Sequence, residues 1–221
     1  MKSFFNLDNP FFSFMSRVSD IVILNVLFII CSIPVFTTGA SLTAMSYVTL
    51  KMKEGEEGYI ARSFFRSFKK NFKQSTLVWL VMLVFAAVLY IDWQLLRTME
   101  GAAAQPMRVF ILIGALLWLM LLLYLFPMIA RYENTTMNMV RNAVLLMLAN
   151  APKAILMVIV IAVCIALTFF NSATLVWGIL IWLMVGFAVI SFLNSTLQIK
   201  IFHKIEPDEE GEDVSEGELR P

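Results

Sequence analysis

The stretch SIPVFTTGAS, residues 32–41, follows an apolar run and decides how many times the chain crosses a membrane. Pro34 lacks an N–H and restricts the residue before it, so we expect it to end a helix. Thr37 or Thr38 is expected to cap the next helix by accepting backbone N–H bonds, and Gly39 allows close approach to neighbouring helices. The stretch therefore predicts an interhelical turn, with an anion site at the helix N-terminus as the alternative.

The composition is that of a membrane protein. The chain has 221 residues, of which 60% are hydrophobic and 15% charged, and its mean hydropathy is +0.80. A soluble domain carries about 45–50% apolar and 25% charged residues. The composition therefore predicts an integral membrane protein.

The apolar runs predict an all-α, polytopic helical membrane protein. Five runs approach the roughly 20 apolar residues that a spanning helix needs, and they cover residues 20–36, 75–93, 108–130, 153–170 and 174–199. A weaker run over 39–53 reaches only about 22 Å as a helix, so it is either a short span or a surface segment. If it crosses, the fold has six transmembrane helices in three hairpins, with two cytoplasmic amphipathic helices; if it does not, there are five.

Charge predicts the orientation. The loop over residues 51–73 is rich in Lys and Arg, which is typical of cytoplasmic loops, and alternation along the chain then places the C-terminus in the cytoplasm. Residues 206–221 hold eight of the sixteen acids and one base. We expect a single helical transmembrane domain over 1–205 and an acidic, disordered cytoplasmic tail over 206–221.

The segment YIARSFFRSFKKNFKQ, residues 59–74, places phenyl rings at four-residue spacing opposite a basic face. This pattern predicts a helix that lies flat at the membrane interface, with its rings in the acyl boundary and its cations among anionic headgroups. Docking of a cytoplasmic partner is the alternative. A 79-residue shift aligns this segment weakly with a second amphipathic segment near residue 141. The basic residues of the interfacial helix are Arg62, Arg66, Lys69, Lys70 and Lys73.

Few polar groups occur within the spans, and none forms a catalytic pattern. Asn25 and Asn194 are expected to make interhelical hydrogen bonds, with a solute path as the alternative. Only one histidine, His203, is present, and the chain contains no metal-ligand spacing, glycine-rich phosphate loop or hydrolase motif. We therefore expect no enzyme activity, catalytic residue, cofactor, metal or nucleic acid. The expected partners are membrane lipids and a transporter or sensor subunit; the oligomeric state is left open.

Pro34 together with TGASLTA (38–44) and RSFFRSFKKNFKQ (62–74) resembles the YesL-like family over about residues 1–205. This family consists of bacterial multi-pass membrane proteins with a domain of unknown function. The resemblance implies a bacterial cell membrane, and it implies a link to carbohydrates because such proteins are often encoded near sugar-uptake transporters and carbohydrate-degrading enzymes. The expected function is an accessory or regulatory component of carbohydrate uptake or utilisation. A transporter or permease subunit for a small solute is the alternative.

Overall fold

Helices form all the regular structure in the described chain. The structure is a computed structural model that describes residues 10–56, 58–98 and 104–204, with side chains from Phe14 onwards. A 3₁₀ turn, Val35–Thr37, and a π-helical segment, Trp182–Gly186, accompany the α-helices. These are α1 (Pro10–Ser32), α2 (Thr38–Glu54), α3 (Ile60–Thr98), α4 (Ala104–Arg131), α5 (Thr136–Ala149), α6 (Ala151–Thr168), α7 (Ser172–Ile181) and α8 (Phe187–Phe202).

Five helical stretches are long and apolar enough to cross a membrane. They are Phe14–Ser32, Ile60–Thr98, Ala104–Arg131, Ala151–Thr168 and Ser172–Phe202, the last being α7, the π segment and α8 in one continuous rod. Each of the five strong apolar runs of the sequence lies on one of these stretches, although the first run extends four residues past Ser32 and the fourth two residues past Thr168. The prediction of an all-α polytopic membrane protein is confirmed.

The weak sixth run forms α2, and α2 is a core helix. Its 17 residues contact α1, α3, α4 and α8, and ten of them are buried. Its low hydropathy follows from this position, because a helix enclosed by other helices needs small and hydroxyl residues more than lipid-facing ones. α2 is therefore not an exposed segment of the bundle, and the choice between a short span and a segment at the membrane surface, with six or five crossings, stays a prediction.

The basic segment is the beginning of α3 and continues directly into a span. α3 has 39 residues, about 58 Å of helix, and contains neither glycine nor proline. The structure thus differs from the predicted separate helix lying flat at the interface. The second amphipathic segment, unlike the first, does not continue into a span as one helix. Pro152, the residue that the 79-residue shift aligns with Lys73, lies where the chain divides into α5 and α6.

In the turn over residues 32–41, the hydroxyl of Thr37 forms hydrogen bonds with carbonyl oxygens that precede it in the chain. α1 ends at Ser32 and α2 begins at Thr38, as Pro34 predicts. Thr37 occupies the N-cap of α2, but its hydroxyl makes no capping bond. It lies instead 2.6 Å from the carbonyl oxygen of Cys31 and 2.7 Å from that of Pro34. The predicted acceptor role of Thr37 is wrong, since its hydroxyl donates to the Cys31 carbonyl in the last turn of α1 and to the Pro34 carbonyl, which also accepts the Thr37 backbone N–H.

Gly39 brings the backbones of α2 and α3 into direct contact. A Cβ on Gly39 would lie 2.4 Å from Trp79 Cβ and 2.5 Å from the Ser75 carbonyl oxygen. Nearby, Thr43 Oγ1 and Ser75 Oγ are 2.8 Å apart, and the Trp79 indole N–H donates to the Val35 carbonyl oxygen at 2.7 Å. From Thr43 to Gly39 along α2, the contact on α3 moves from Ser75 to Trp79. Residue numbers therefore change in opposite directions along the two helices, which are antiparallel.

The inner half of α4 forms the second part of the core. Seven consecutive residues, Tyr124 to Ala130, are buried, which requires neighbours on every side of two helical turns, and α2, α3, α5 and α6 supply them. Pro127 lies inside this stretch and cannot donate to the Leu123 carbonyl oxygen. The Gln198 side-chain amide of α8 donates to that oxygen instead, at 2.9 Å.

We predict that Gly39→Ala destabilises the protein by about 1–3 kcal/mol, the usual cost of overpacking. The added methyl group would meet backbone and Cβ atoms, which cannot move aside as a flexible side-chain end can. Gly114→Ala is the matched control, because its Cβ would meet only Leu89 Cδ2, at 3.4 Å. Thermal unfolding in detergent micelles measures both variants, and equal melting temperatures would contradict the packing described here.

Cysteine labelling distinguishes six spans from five. Val35 at the turn is 63% exposed, so Val35→Cys and Ser3→Cys, each in a chain with Cys31→Ala and Cys164→Ala, are treated with an impermeant maleimide in intact spheroplasts. Six spans predict labelling of Val35→Cys alone. Labelling of Ser3→Cys alone would establish five. Permeabilised membranes, in which both cysteines should react, are the control.

Candidate interaction surface and polar core

Four cations form one line along the start of α3. Arg62, Arg66, Lys69 and Lys73 follow one another at helical spacing, and all four are exposed. They define the basic stripe, which is about 16 Å long at 1.5 Å per residue. Lys70 lies beside it and forms an ion pair with Glu133.

The opposite side of this segment is covered by the chain itself. Phe64 is completely buried and Ile60 is 9% exposed, in a cluster that includes Val48 of α2. Phe68 contacts both neighbouring rings, with centroids 6.1 Å from Phe64 and 5.5 Å from Phe72. Because Phe64 packs against protein, it cannot insert into the acyl layer as the sequence predicted.

The acids that the structure describes at this end of the bundle are already paired. Glu54 bonds Arg131 and lies 3.6 Å from His203, and Glu56 bonds Lys51. The ion pair with Lys70 lowers the pKa of Glu133 below its usual value. We call this the basic end of the bundle, where the end of α2, the start of α3, the α4–α5 link and the end of α8 meet.

The stripe itself has no acidic partner in the described chain. Within residues 14–56, 58–98 and 104–204, no ion pair or side-chain hydrogen bond involves Arg62, Arg66, Lys69 or Lys73. The remaining described acids are Asp20 in α1 and Asp92 near the far end of α3. The stripe therefore presents four uncompensated positive charges to any anionic group that reaches it.

Asn25 holds the π-helical segment in place. Its amide nitrogen donates to the carbonyl oxygens of Trp182 at 3.1 Å and Leu183 at 2.9 Å, and its oxygen accepts from the Ala188 N–H at 3.0 Å. A π segment interrupts the i→i−4 bonds of an α-helix, and Asn25, which is fully buried, satisfies the groups that are released. Both amide hydrogens are used, so neither is free for a solute.

No hydrogen bond in the described chain joins Asn194 to Asn25. Asn194 is buried in α8, one turn before Gln198, and its side-chain oxygen has no partner in the described chain. The hydroxyls of α8 contact α2 instead, with Ser191 Oγ 3.0 Å and Ser195 Oγ 2.8 Å from Thr49 Oγ1. The polar residues of the core thus mainly bond one another and the backbone.

Sequence reasoning did not identify the π segment or its aromatic contacts. Trp182 donates its indole N–H to Thr168 Oγ1 at 2.9 Å, and a Cβ at Gly186 would lie 2.8 Å from the Trp182 ring. Gly186 four residues after a tryptophan was the available signal, because only glycine leaves space for that ring. Neither Gly186 nor the local hydropathy indicates a π-helix, however.

A groove of about 330 Å³ lies beside this segment, between α6 and α7–α8. Two threonines in its lining have engaged hydroxyls: Thr168 donates to the Cys164 carbonyl oxygen, and Thr174 belongs to the capping box of α7 with Asn171. The other polar groups of the lining are the Trp177 indole N–H and the Cys164 thiol, and the Trp182 indole N–H already donates to Thr168. Sugars are bound through several directed hydrogen bonds, and one indole and one thiol are too few for them.

We predict that Asn25→Ala destabilises the protein by about 1–3 kcal/mol for each buried backbone group left without a partner. Asn194→Ala removes the same amide from the same buried environment but breaks no side-chain hydrogen bond seen in the described chain, so it is the matched control. Thermal unfolding in detergent compares the two. A larger loss for Asn194→Ala would contradict the assigned role of Asn25.

The helices and their buried contacts define the class of this protein as a polytopic helical membrane protein. In the described residues, no group of three or more His, Cys, Asp or Glu side chains is placed to hold a metal ion. The basic stripe and the Asn25–π contact are its two most distinctive arrangements of polar groups.

Two comparisons with known proteins find similarity to an uncharacterised family. Residues 21–93 match the family model described as "Protein of unknown function, DUF624". A segment of 127 residues is 25% identical to "Uncharacterized protein YesL" of Bacillus subtilis (strain 168) and covers 57% of this chain and 59% of that protein. These findings confirm the resemblance to a YesL-like family of uncharacterised function. No solved structure matches the chain.

The residues matched by the family model include some of the features described above and not others. Residues 21–93 include Asn25, the turn, all of α2 and the whole basic stripe, whereas the π segment and the acidic tail lie outside them. The chain spans about three fifths of the length of its YesL relative. The two matches therefore give no molecular activity for the whole protein.

Proposed function

We propose that the protein is an accessory or regulatory membrane component of carbohydrate uptake or utilisation. It acts by binding an acidic surface of a transporter or sensor subunit through the basic stripe. The observation that carries this proposal is the stripe itself, four exposed cations in one line with no acidic partner in the described chain. The carbohydrate connection rests on the family resemblance.

The length of the stripe favours a protein partner over lipid headgroups. Arg62 precedes Ser75, where the apolar run begins, by about 20 Å of unbroken helix, whereas Lys73 precedes it by only about 3 Å. A headgroup layer is about 5–8 Å deep on each side of a bilayer, so it is shallower than the stripe is long. Phe64, an apolar side chain that an interfacial helix would insert, is buried, although Phe65 is 41% exposed. A row of cations longer than the headgroup layer is deep is better suited to a protein surface.

The alternative of a solute transporter has less support from the geometry. Its suggested path runs past Asn25 and Asn194. The amide hydrogens of Asn25 are both donated to backbone carbonyls of the π segment, and the groove beside that segment is apolar. The buried Asn194 oxygen has no partner in the described chain, but a single acceptor is too little for a sugar, so interaction through the stripe has the better support.

We predict that reversing the stripe abolishes partner binding. Wild type, Arg62→Glu/Arg66→Glu/Lys69→Glu/Lys73→Glu, and the charge-preserving Arg62→Lys/Arg66→Lys/Lys69→Arg/Lys73→Arg are crosslinked in native membranes, and attached proteins are identified by mass spectrometry. A carbohydrate transporter or sensor subunit should be captured by the first and third. Charge reversal should lower its yield about tenfold or more, because each exposed pair contributes roughly 0.2–1 kcal/mol.

Three outcomes would contradict the proposal. One is equal capture by the reversed variant, and another is capture of subunits unrelated to carbohydrates. The third is loss of anionic-phospholipid binding alone, which would assign the stripe to the membrane surface. Equal folding of the three variants is checked by size-exclusion chromatography in detergent.

A further inference from the structure

The basic stripe has a potential partner within its own chain. Residues 206–221 carry eight acids and one base, half of the sixteen acids of the chain, within sixteen consecutive positions. These residues lie outside the described part of the chain, which ends at Lys204. The described acids are few, and those at the basic end already bond cations other than the stripe.

The tail leaves the bundle at the end where the stripe begins. His203, at the end of α8, lies 3.6 Å from Glu54, and Glu54 bonds Arg131. Two residues further on, Glu133 bonds Lys70, the neighbour of Lys69 in the stripe. One series of contacts therefore connects the last described residues with the stripe across the same end of the bundle.

The tail is also long enough to reach the stripe. The seventeen residues after Lys204 can extend to roughly 55–60 Å, whereas a small domain is roughly 30 Å in diameter. A segment tethered at this distance is present at an effective concentration on the order of millimolar. Such a concentration gives it an advantage over the same segment of a second copy.

From these observations we propose that the acidic tail, residues 206–221, binds the basic stripe of the same molecule and covers it until an anionic partner displaces it. The inference rests on the proposed function, since it assigns a built-in competitor to the same surface. It adds regulation: the partner must supply more negative charge, or a better fit, than the tethered tail. Conditions that neutralise the tail would open the surface.

Carbodiimide crosslinking tests this contact directly, because it joins a carboxylate to an amine only when the two groups are in contact. The full chain is placed in nanodiscs that contain one part anionic to four parts zwitterionic phospholipid, as an equal mixture of ¹⁴N- and ¹⁵N-labelled protein. We expect crosslinked peptides that join residues 206–221 to Lys69 or Lys73 within one isotopic species. The pairs Lys70–Glu133 and Lys51–Glu56 are internal positive controls.

Matched charge reversals identify the surface. Arg62→Glu/Arg66→Glu leaves both reporter lysines in place and should lower the yield of tail crosslinks at Lys69 and Lys73 at least fivefold, while the Lys70–Glu133 crosslink is unchanged. Lys200→Glu/Lys204→Glu makes the same change in net charge next to the tail but away from the stripe. It should change those yields less than twofold.

Several results would overturn the inference: tail crosslinks confined to Lys51, Lys53, Lys200 or Lys204; crosslinks only between isotopic species; no tail crosslinks beside anionic lipid; or equal effects of the two double reversals. Each of these leaves the partner experiment unaffected, because a stripe without a tail can still bind a transporter subunit. Conversely, failure to capture a partner does not change the internal crosslinks. The two proposals therefore fail separately.

Discussion

The contact between Gly39 and α3 is the constraint on which the rest of the architecture depends. Only a residue without a side chain leaves room for the Ser75 carbonyl and the Trp79 Cβ at this point. The close approach aligns Thr43 with Ser75 and turns the apolar side of the basic segment, including Phe64, towards α2. Exposure of the cations on the other side follows, since a helix that buries one face presents the opposite one.

Side-chain amides form hydrogen bonds with backbone groups that have no partner within their own helix. Asn25 satisfies the backbone groups released by the π segment, and Gln198 donates to the carbonyl that Pro127 leaves without a donor. Within a bilayer no water is available for such groups, so a helical irregularity persists only where a neighbouring side chain supplies the missing bond. Backbone geometry thus explains the positions of Asn25 and Gln198 without a solute.

The sequence predicted the helices far better than their junctions. Hydropathy located every strong run, and Pro34 marked the end of α1, because length, apolarity and a missing N–H act locally. The continuity of α3 was missed because a change from amphipathic to apolar composition resembles a boundary, although no residue in it breaks a helix. The burial of Phe64 and the bonds of Asn25 depend on partners over 100 positions away or on another helix, so no local pattern reveals them.

The uninterrupted course of α3 also has a mechanical meaning. The helix has no glycine or proline at which it could hinge. Its first half packs against α2, from Phe64 to Trp79, and its second half packs against α4, where the Trp118 indole donates to the Met82 carbonyl oxygen. A stiff rod held along its length moves as a unit, so a displacement of the end that carries the basic stripe is passed on to α4 and is not absorbed by a bend in α3.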